Sequence, residues 1–149
     1  MGEPQVYRAV PDDLDALLSL VREFCEFDGH DFDAERVTRA LRPLLAGDEH
    51  GQVWLADGGA PVGYAVVTWG WSLESGGREA LLDEIYVRER GRGVGSELLR
   101  RAVAAAAEAG AATMFLETEA RNERVRTFYA RHGFEAEDSI WMCQVIAGA

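Results

Sequence analysis

The sequence has no lysine: all 15 of its basic residues are arginine, set against 26 aspartates and glutamates, for a formal charge of −11 over 149 residues. A basic stripe able to win phosphate electrostatically is missing, which excludes nucleic acid as a partner and favours cations. Cysteine is scarce. Cys25 and Cys143 lie far apart, each inside an apolar run, and are expected as two buried free thiols of a reducing compartment rather than a disulfide or a metal pair. His30 and His132 are separated by about a hundred residues and show no ligand spacing, so no metal is expected. No stretch approaches the ~20 apolar residues that span a bilayer. Met1 to Tyr7 carry neither a basic n-region nor an apolar h-region, so a cytoplasmic protein with no membrane partner is expected. No repeat, linker or low-complexity tail interrupts the chain.

What is present fits one compact domain spanning 1–149, with a 48% hydrophobic composition to supply its core. Gln5 to Val10 alternates as a first strand, and Pro11-Asp12-Asp13 opens a helix with acids at its N-terminus. Leu14, Leu17, Leu18, Val21 and Phe24 recur at helical spacing through about Cys25. A second helix runs from Asp33 through Val37, Leu41 and Leu45, with Pro43 expected to kink or shorten it and Gly47 to close it. The period then changes to that of strands over Gln52 to Ala56, Val62 to Trp71 and Glu79 to Val87, separated by Asp57-Gly58-Gly59 and Ser75-Gly76-Gly77 turns. Gly95 to Ala109 reads as a helix, Ala112 to Glu117 as a strand and Asn122 to His132 as a helix, with His132 packing or capping its end. Phe134 to Glu135 and Ile140 to Ile146 are expected as closing strands. This order is that of an α/β domain with a mixed, mostly antiparallel sheet flanked by helices, because a crossover helix joins the fourth and fifth strands.

The most specific feature is Arg90-Gly91-Arg92-Gly93-Val94-Gly95-Ser96, placed between a strand and a helix. Glycines let the backbone approach an anion, the helix N-terminus offers unpaired N–H groups, and the arginines add charge, which together describe a pyrophosphate site. The bland alternative is a tight connection. No lysine follows the glycines as in a Walker loop, and the G-x-G-x-G spacing late in the chain is not the dinucleotide fingerprint.

The sequence here resembles the GNAT acetyltransferases, whose (Q/R)-x-x-G-x-(G/A) loop is matched by Arg90, Gly93 and Gly95. A second block, Asn122 to Phe134, is similar to that family's N-x-x-(A/V)-x-x-F-Y-x-x-x-G-F pattern, and the likeness covers nearly the whole chain. The resemblance implies a GNAT-like fold with splayed fourth and fifth strands and acetyl-CoA between them, CoA leaving as product. It assigns the pantetheine arm to backbone groups of Ile85, Tyr86 and Val87, one N–H of which near Tyr86 or Val87 would polarise the thioester carbonyl. Amides of Arg92, Gly93, Val94, Gly95 and Ser96 would hold the pyrophosphate beside Arg90, and Asn122 would fix the pantetheine. Ser96 also reads as a plain helix N-cap. Tyr129 matches the family's tyrosine that protonates the departing sulfur; packed in a helix face, it also reads as a core residue. Members commonly place four residues between the strand's final valine and the loop's arginine. Here only Arg88 and Glu89 intervene, so either the loop is trimmed or the strand shifts by two.

A proton must also leave the attacking amine. Leu81-Leu82-Asp83-Glu84-Ile85-Tyr86-Val87 sets two carboxylates in an apolar strand, where they cost desolvation unless they line a cleft or find partners. Adjacent strand residues face opposite sides, so one of them meets an acceptor unless a bulge reorients the chain, as in the family. Glu84 is preferred as base, with Asp83 the alternative. Glu26, Asp28 and Asp31 could draw in a cationic amine, with Phe27, Phe32, Trp69 or Trp71 as an apolar or cation–π surface; a solvated acidic loop is the plain alternative. Neither cysteine sits in a nucleophile context, so direct transfer in a ternary complex is expected. The acceptor is expected to be a small amine such as a polyamine or an aminoglycoside-like cation. Alternatives are a peptide or protein amine and a non-catalytic acyl-CoA sensor. Trp141 and Met142 near the C-terminus are compatible with a homodimer.

Overall fold

The computed structural model describes residues 3–147. They form two units, one ending at Leu116 and one starting at Glu117. The first unit opens with β1 (Gln5–Arg8), followed by a single 3-10 turn over Pro11–Asp13 that leads into α1 (Leu14–Asp28). The Asp13 carboxylate accepts from the Val10 N–H at 2.8 Å and fixes that turn. Helix α1 buries Leu17, Leu20 and Val21, as its spacing requires. Helix α2 (Ala34–Ala46) is capped by the Asp33 side chain, which accepts from the Arg36 N–H at 3.2 Å. Pro43 does not shorten it. The proline stands on the exposed side one turn from the end, where its missing N–H removes a single hydrogen bond while Leu41, Leu44 and Leu45 stay buried.

Strands β2 (Gly51–Asp57), β3 (Pro61–Ser72) and β4 (Gly77–Val87) follow as an antiparallel meander. Helix α3 (Val94–Glu108) then crosses over to β5 (Met114–Phe115), which pairs parallel to β4. The sheet order is β1-β2-β3-β4-β5, mixed and mostly antiparallel. Helices α1 and α2 cover one face, where Leu17, Leu20, Leu41 and Leu45 pack with Val53, Leu55, Tyr64 and Val66. Each fully buried leucine there contributes about 1.5–3 kcal/mol. Helix α3 covers the other face: a Cβ added at Gly63 would meet Leu98 Cδ1 at 3.3 Å, so Gly63, and with it Ala65 and Val67, points toward α3.

In the second unit, α4 (Glu123–Arg131) is capped by Asn122, whose side chain accepts from the Val125 N–H at 3.2 Å. His132 is the C-cap, its ring 5.0 Å from that of Phe128. The expected strands at Phe134 to Glu135 and Ile140 to Ile146 are absent among the described residues. Ile140, Trp141, Met142, Val145 and Ile146 are exposed instead, and Cys143, expected buried, is exposed with them. Apolar β-branched residues favour a strand, but a strand forms only where a neighbouring backbone completes its ladder.

Candidate active site

The two carboxylates of β4 are separated by a bulge. Leu82 pairs with Val67 and Glu84 with Val66, leaving Asp83 as the extra residue. Directly opposed residues share a face, so Leu82 follows Val67 toward α3 whereas Glu84 follows Val66 and Tyr64 toward α1. Without the bulge, Leu82 and Glu84 would lie on one face. Glu84 Oε1 accepts a hydrogen bond from the Tyr64 hydroxyl at 2.7 Å. Burial pushes its carboxyl above the usual range; the Tyr64 bond opposes the shift, neighbouring Asp83 and Asp28 add to it, and His30 opposes it. Asp83 is exposed on the bulge, and desolvation by the surrounding strands still raises its carboxyl.

Beyond the bulge β4 keeps its register, pairing Ile85, Tyr86 and Val87 with Ala65, Tyr64 and Gly63. Strand β4 ends at Val87 and α3 begins at Val94, with Arg88 and Glu89 alone before the loop's Arg90. On the opposite edge, pairing with β5 stops at Leu81 and Phe115, so among the described residues the backbone of Ile85 to Val87 has no strand beyond it. This is the splay expected between the fourth and fifth strands.

The glycine loop lies at the mouth of that opening, between Val87 and the first residue of α3. Gly91 and Gly93 have φ of 81° and 77°, a left-handed conformation that L side chains rarely adopt. An added Cβ at either would meet nothing within 4 Å, so the two glycines serve the loop's backbone path and leave open space before the helix N-terminus. Gly93 is the N-cap, and Ser96 stands in the third helical position rather than at the cap. Arg92 pairs with Glu89 at 3.0 Å, and Arg90 lies over the Phe27 ring at 5.9 Å. The exposed glycine backbone, the first turn of α3 and the two arginines suit a pyrophosphate in shape and charge.

Sequence reasoning missed the cluster beside Glu84. Glu23 on α1 accepts from the Tyr86 hydroxyl at 3.3 Å and from Arg88 Nε at 2.8 Å, and Arg88 Nη1 donates to the Pro61 carbonyl at 2.8 Å. The arginine bond holds the Glu23 carboxyl below its usual range. This clamp ties α1 to the ends of β3 and β4, and the Phe24 ring lies 5.6 Å from that of Tyr86. Tyr64 is the other omission. A tyrosine amid Gly63, Ala65, Val66 and Val67 was the available signal.

Of the expected acceptor residues, Asp28 is near enough to act on Glu84 and pairs with His30 at 2.8 Å. Glu26 and Asp31 are exposed. Trp69 shares the α3 side of β3 with Val67, and its indole N–H donates to the Asp48 carbonyl at 2.8 Å; it does not stand beside Glu84. In the second unit Tyr129 is buried, with the Phe128 and Phe134 rings 5.3 and 5.8 Å away, and burial raises its hydroxyl to about 12. Asn122 uses its side-chain oxygen as the cap of α4.

A sheet with one strand edge left free, a glycine-lined helix N-terminus beyond it and a half-buried carboxylate beside a bulge is a layout suited to group transfer. The model of the Acetyltransferase (GNAT) family matches residues 14–134, and the chain belongs to that family. It is 30% identical over 141 residues to an uncharacterized N-acetyltransferase of Methanocaldococcus jannaschii; the match covers 90% of this chain and 62% of the length of that relative. An integron cassette protein from the mobile metagenome of Cole Harbour Salt Marsh superimposes with a TM-score of 0.86 at 31% identity, covering 97% of this chain and 92% of the other. An aminoglycoside N-acetyltransferase, AAC(6')-Iy in complex with CoA, shares the fold with a TM-score of 0.81 at 19% identity, covering 99% and 98%.

Proposed function

We propose that this protein is an acetyl-CoA-dependent N-acetyltransferase that moves an acetyl group to the primary amine of a small cationic acceptor by direct attack in a ternary complex. The observation that carries the reading is Glu84, half-buried on the bulge of β4 beside a free strand edge that leads to the glycine loop. When bound, acetyl-CoA supplies the activated acyl group. The first-turn amides of α3 from Val94 to Ser96, the Arg92 and Gly93 backbone and the Arg90 and Arg92 side chains hold its pyrophosphate. The free edge of Ile85, Tyr86 and Val87 takes the pantetheine, and one N–H of that edge polarises the carbonyl. Asn122 is assigned to the pantetheine by its match to the family motif.

Glu84 takes the proton from the acceptor nitrogen. Its raised carboxyl makes it a stronger base than an ordinary glutamate, while Asp83, exposed on the same bulge, helps to draw in a cation. Asp28 adds negative charge on the same side. Tyr129 is assigned the acid role on its chemistry: at about 12 its hydroxyl keeps its proton at neutral pH and can give it to the departing thiolate. The aminoglycoside acetyltransferase named above supports the choice of a small polycationic amine, as does the formal charge of −11. Both cysteines are free, in keeping with a cytoplasmic setting.

The test is thiol release from acetyl-CoA across polyamines, aminoglycosides, amino acids and short peptides, beside calorimetric titration with CoA. Release that depends on a small polyamine supports the proposal. Release only with peptides moves the acceptor to a protein amine, and CoA binding without release for any amine replaces the enzyme with a sensor.

A further inference from the structure

We propose that Tyr64 is a positioning residue for the reaction: its phenol holds Oε1 of Glu84 in place and leaves Oε2 to take the acceptor's proton. The inference rests on the reading of Glu84 as the base. Tyr64 is fully buried and is the largest such side chain in the described structure. Packing alone would be served by phenylalanine, since a buried hydroxyl costs free energy unless it is paired. Its hydroxyl is paired with Glu84 Oε1 at 2.7 Å.

The neighbouring phenol makes the arrangement specific. Tyr86 lies directly opposite Tyr64 across the β3–β4 ladder, yet donates to Glu23, which Arg88 also clamps. Each tyrosine thus serves one carboxylate, and Glu84 is left as the one with no arginine. The groups facing Glu84 are Tyr64 from β3, Asp83 from β4, Asp28 and Cys25 from α1, and His30 just beyond it. Burial and the nearby acids raise the Tyr64 hydroxyl and the Cys25 thiol, so both stay protonated and neither competes as a base. In the proton step the N–H bond of the acceptor breaks and its proton passes to Oε2; Tyr64 keeps its own. The phenol, with His30, holds down a carboxyl that desolvation, Asp83 and Asp28 push up. Removing the phenol therefore leaves Glu84 more readily protonated.

The experiment titrates the side-chain carboxyl carbon of Glu84 by NMR in the ligand-free protein, its signal assigned by loss in Glu84→Gln. In Tyr64→Phe the midpoint is expected to rise by about one unit, a tenfold change in proton affinity, as loss of a hydrogen bond to a charged group implies. The acid limb of kcat/KM for the acceptor should move with it, while the KM for acetyl-CoA stays put. An unmoved midpoint and limb in a folded Tyr64→Phe protein overturn the proposal. Should that variant not fold, the Tyr64 Cζ signal of the unaltered protein must shift at the Glu84 midpoint, and failure to do so overturns it equally. Turnover and acid limb preserved in Glu84→Gln sink the base itself. A limb lost in Glu84→Gln but unmoved in Tyr64→Phe spares the base and removes only the positioning role.

Discussion

Burial raises both the Glu84 carboxyl and the Tyr129 hydroxyl: the shift strengthens Glu84 as a base, while Tyr129 holds its proton at neutral pH. Tyr129→Phe keeps the ring that packs between Phe128 and Phe134 and removes only the hydroxyl. Steady-state kinetics should show kcat lower by about 10²–10⁴-fold, with calorimetric CoA affinity unchanged. Glu84→Gln should lose turnover as completely and yet stabilise the fold at neutral pH. A carboxyl whose pKa is higher in the folded than in the unfolded chain stabilises fully only below its unfolded value. That contribution is lost as pH rises through the folded value, so at neutral pH the ionised Glu84 is a burden. The amide still accepts from Tyr64, and a thermal melt at pH 7 should rise by about 2–4 °C, vanishing near pH 4.

The bulge and the helix terminus are element-scale devices. Deleting Asp83 leaves Leu82 opposite Val67 and Glu84 opposite Val66, each on its present face. The deletion variant should therefore fold, with an unchanged circular dichroism spectrum, and keep the acid limb that belongs to Glu84. Loss of that limb would transfer the base to Asp83. Gly93 caps α3 with φ of 77°, where any Cβ is strained by roughly 1–2 kcal/mol even though the space around it is open. Gly93→Ala should weaken CoA binding about tenfold in calorimetry, because the loop relaxes away from the path that aims its N–H groups outward.

The whole molecule contributes charge. With 26 acids against 15 arginines, its field should concentrate the proposed cationic acceptor near Asp28, Asp83 and Glu84. Raising ionic strength from roughly 0.02 to 0.2 M shortens the Debye length from about 20 to 7 Å. The acceptor's KM should rise several-fold over that range while kcat holds, as initial rates will measure. No helix among the described residues is long and apolar enough to cross a membrane.

Local pattern was legible wherever one residue's chemistry sets one backbone outcome. The leucine spacing of α1, the glycine loop before α3 and the meander of β2 to β4 needed only periodicity and turn chemistry, whereas the family likeness rested on two motifs, the glycine loop and the Asn122 to Phe134 block. The choice between Asp83 and Glu84 did not. Counting outward from the turn pair of Ser72 and Gly77, an unbroken ladder sets Val66 opposite Asp83. The bulge moves Glu84 into that place, and a bulge is decided by how two faces of a sheet are filled, by α3 on one side and α1 with α2 on the other. The Tyr64–Glu84 bond, 20 positions apart in the chain, depends on that displaced register. The apolar run at Ile140 to Ile146 illustrates the converse: its residues favour a strand, but a strand is a property of two backbones, and side-chain sequence specifies one. Sequence by itself determined which chemical groups this protein owns and the elements that carry them. Tertiary structure decided which carboxylate faces α1 and what holds it there, because facing and pairing are relations between distant segments.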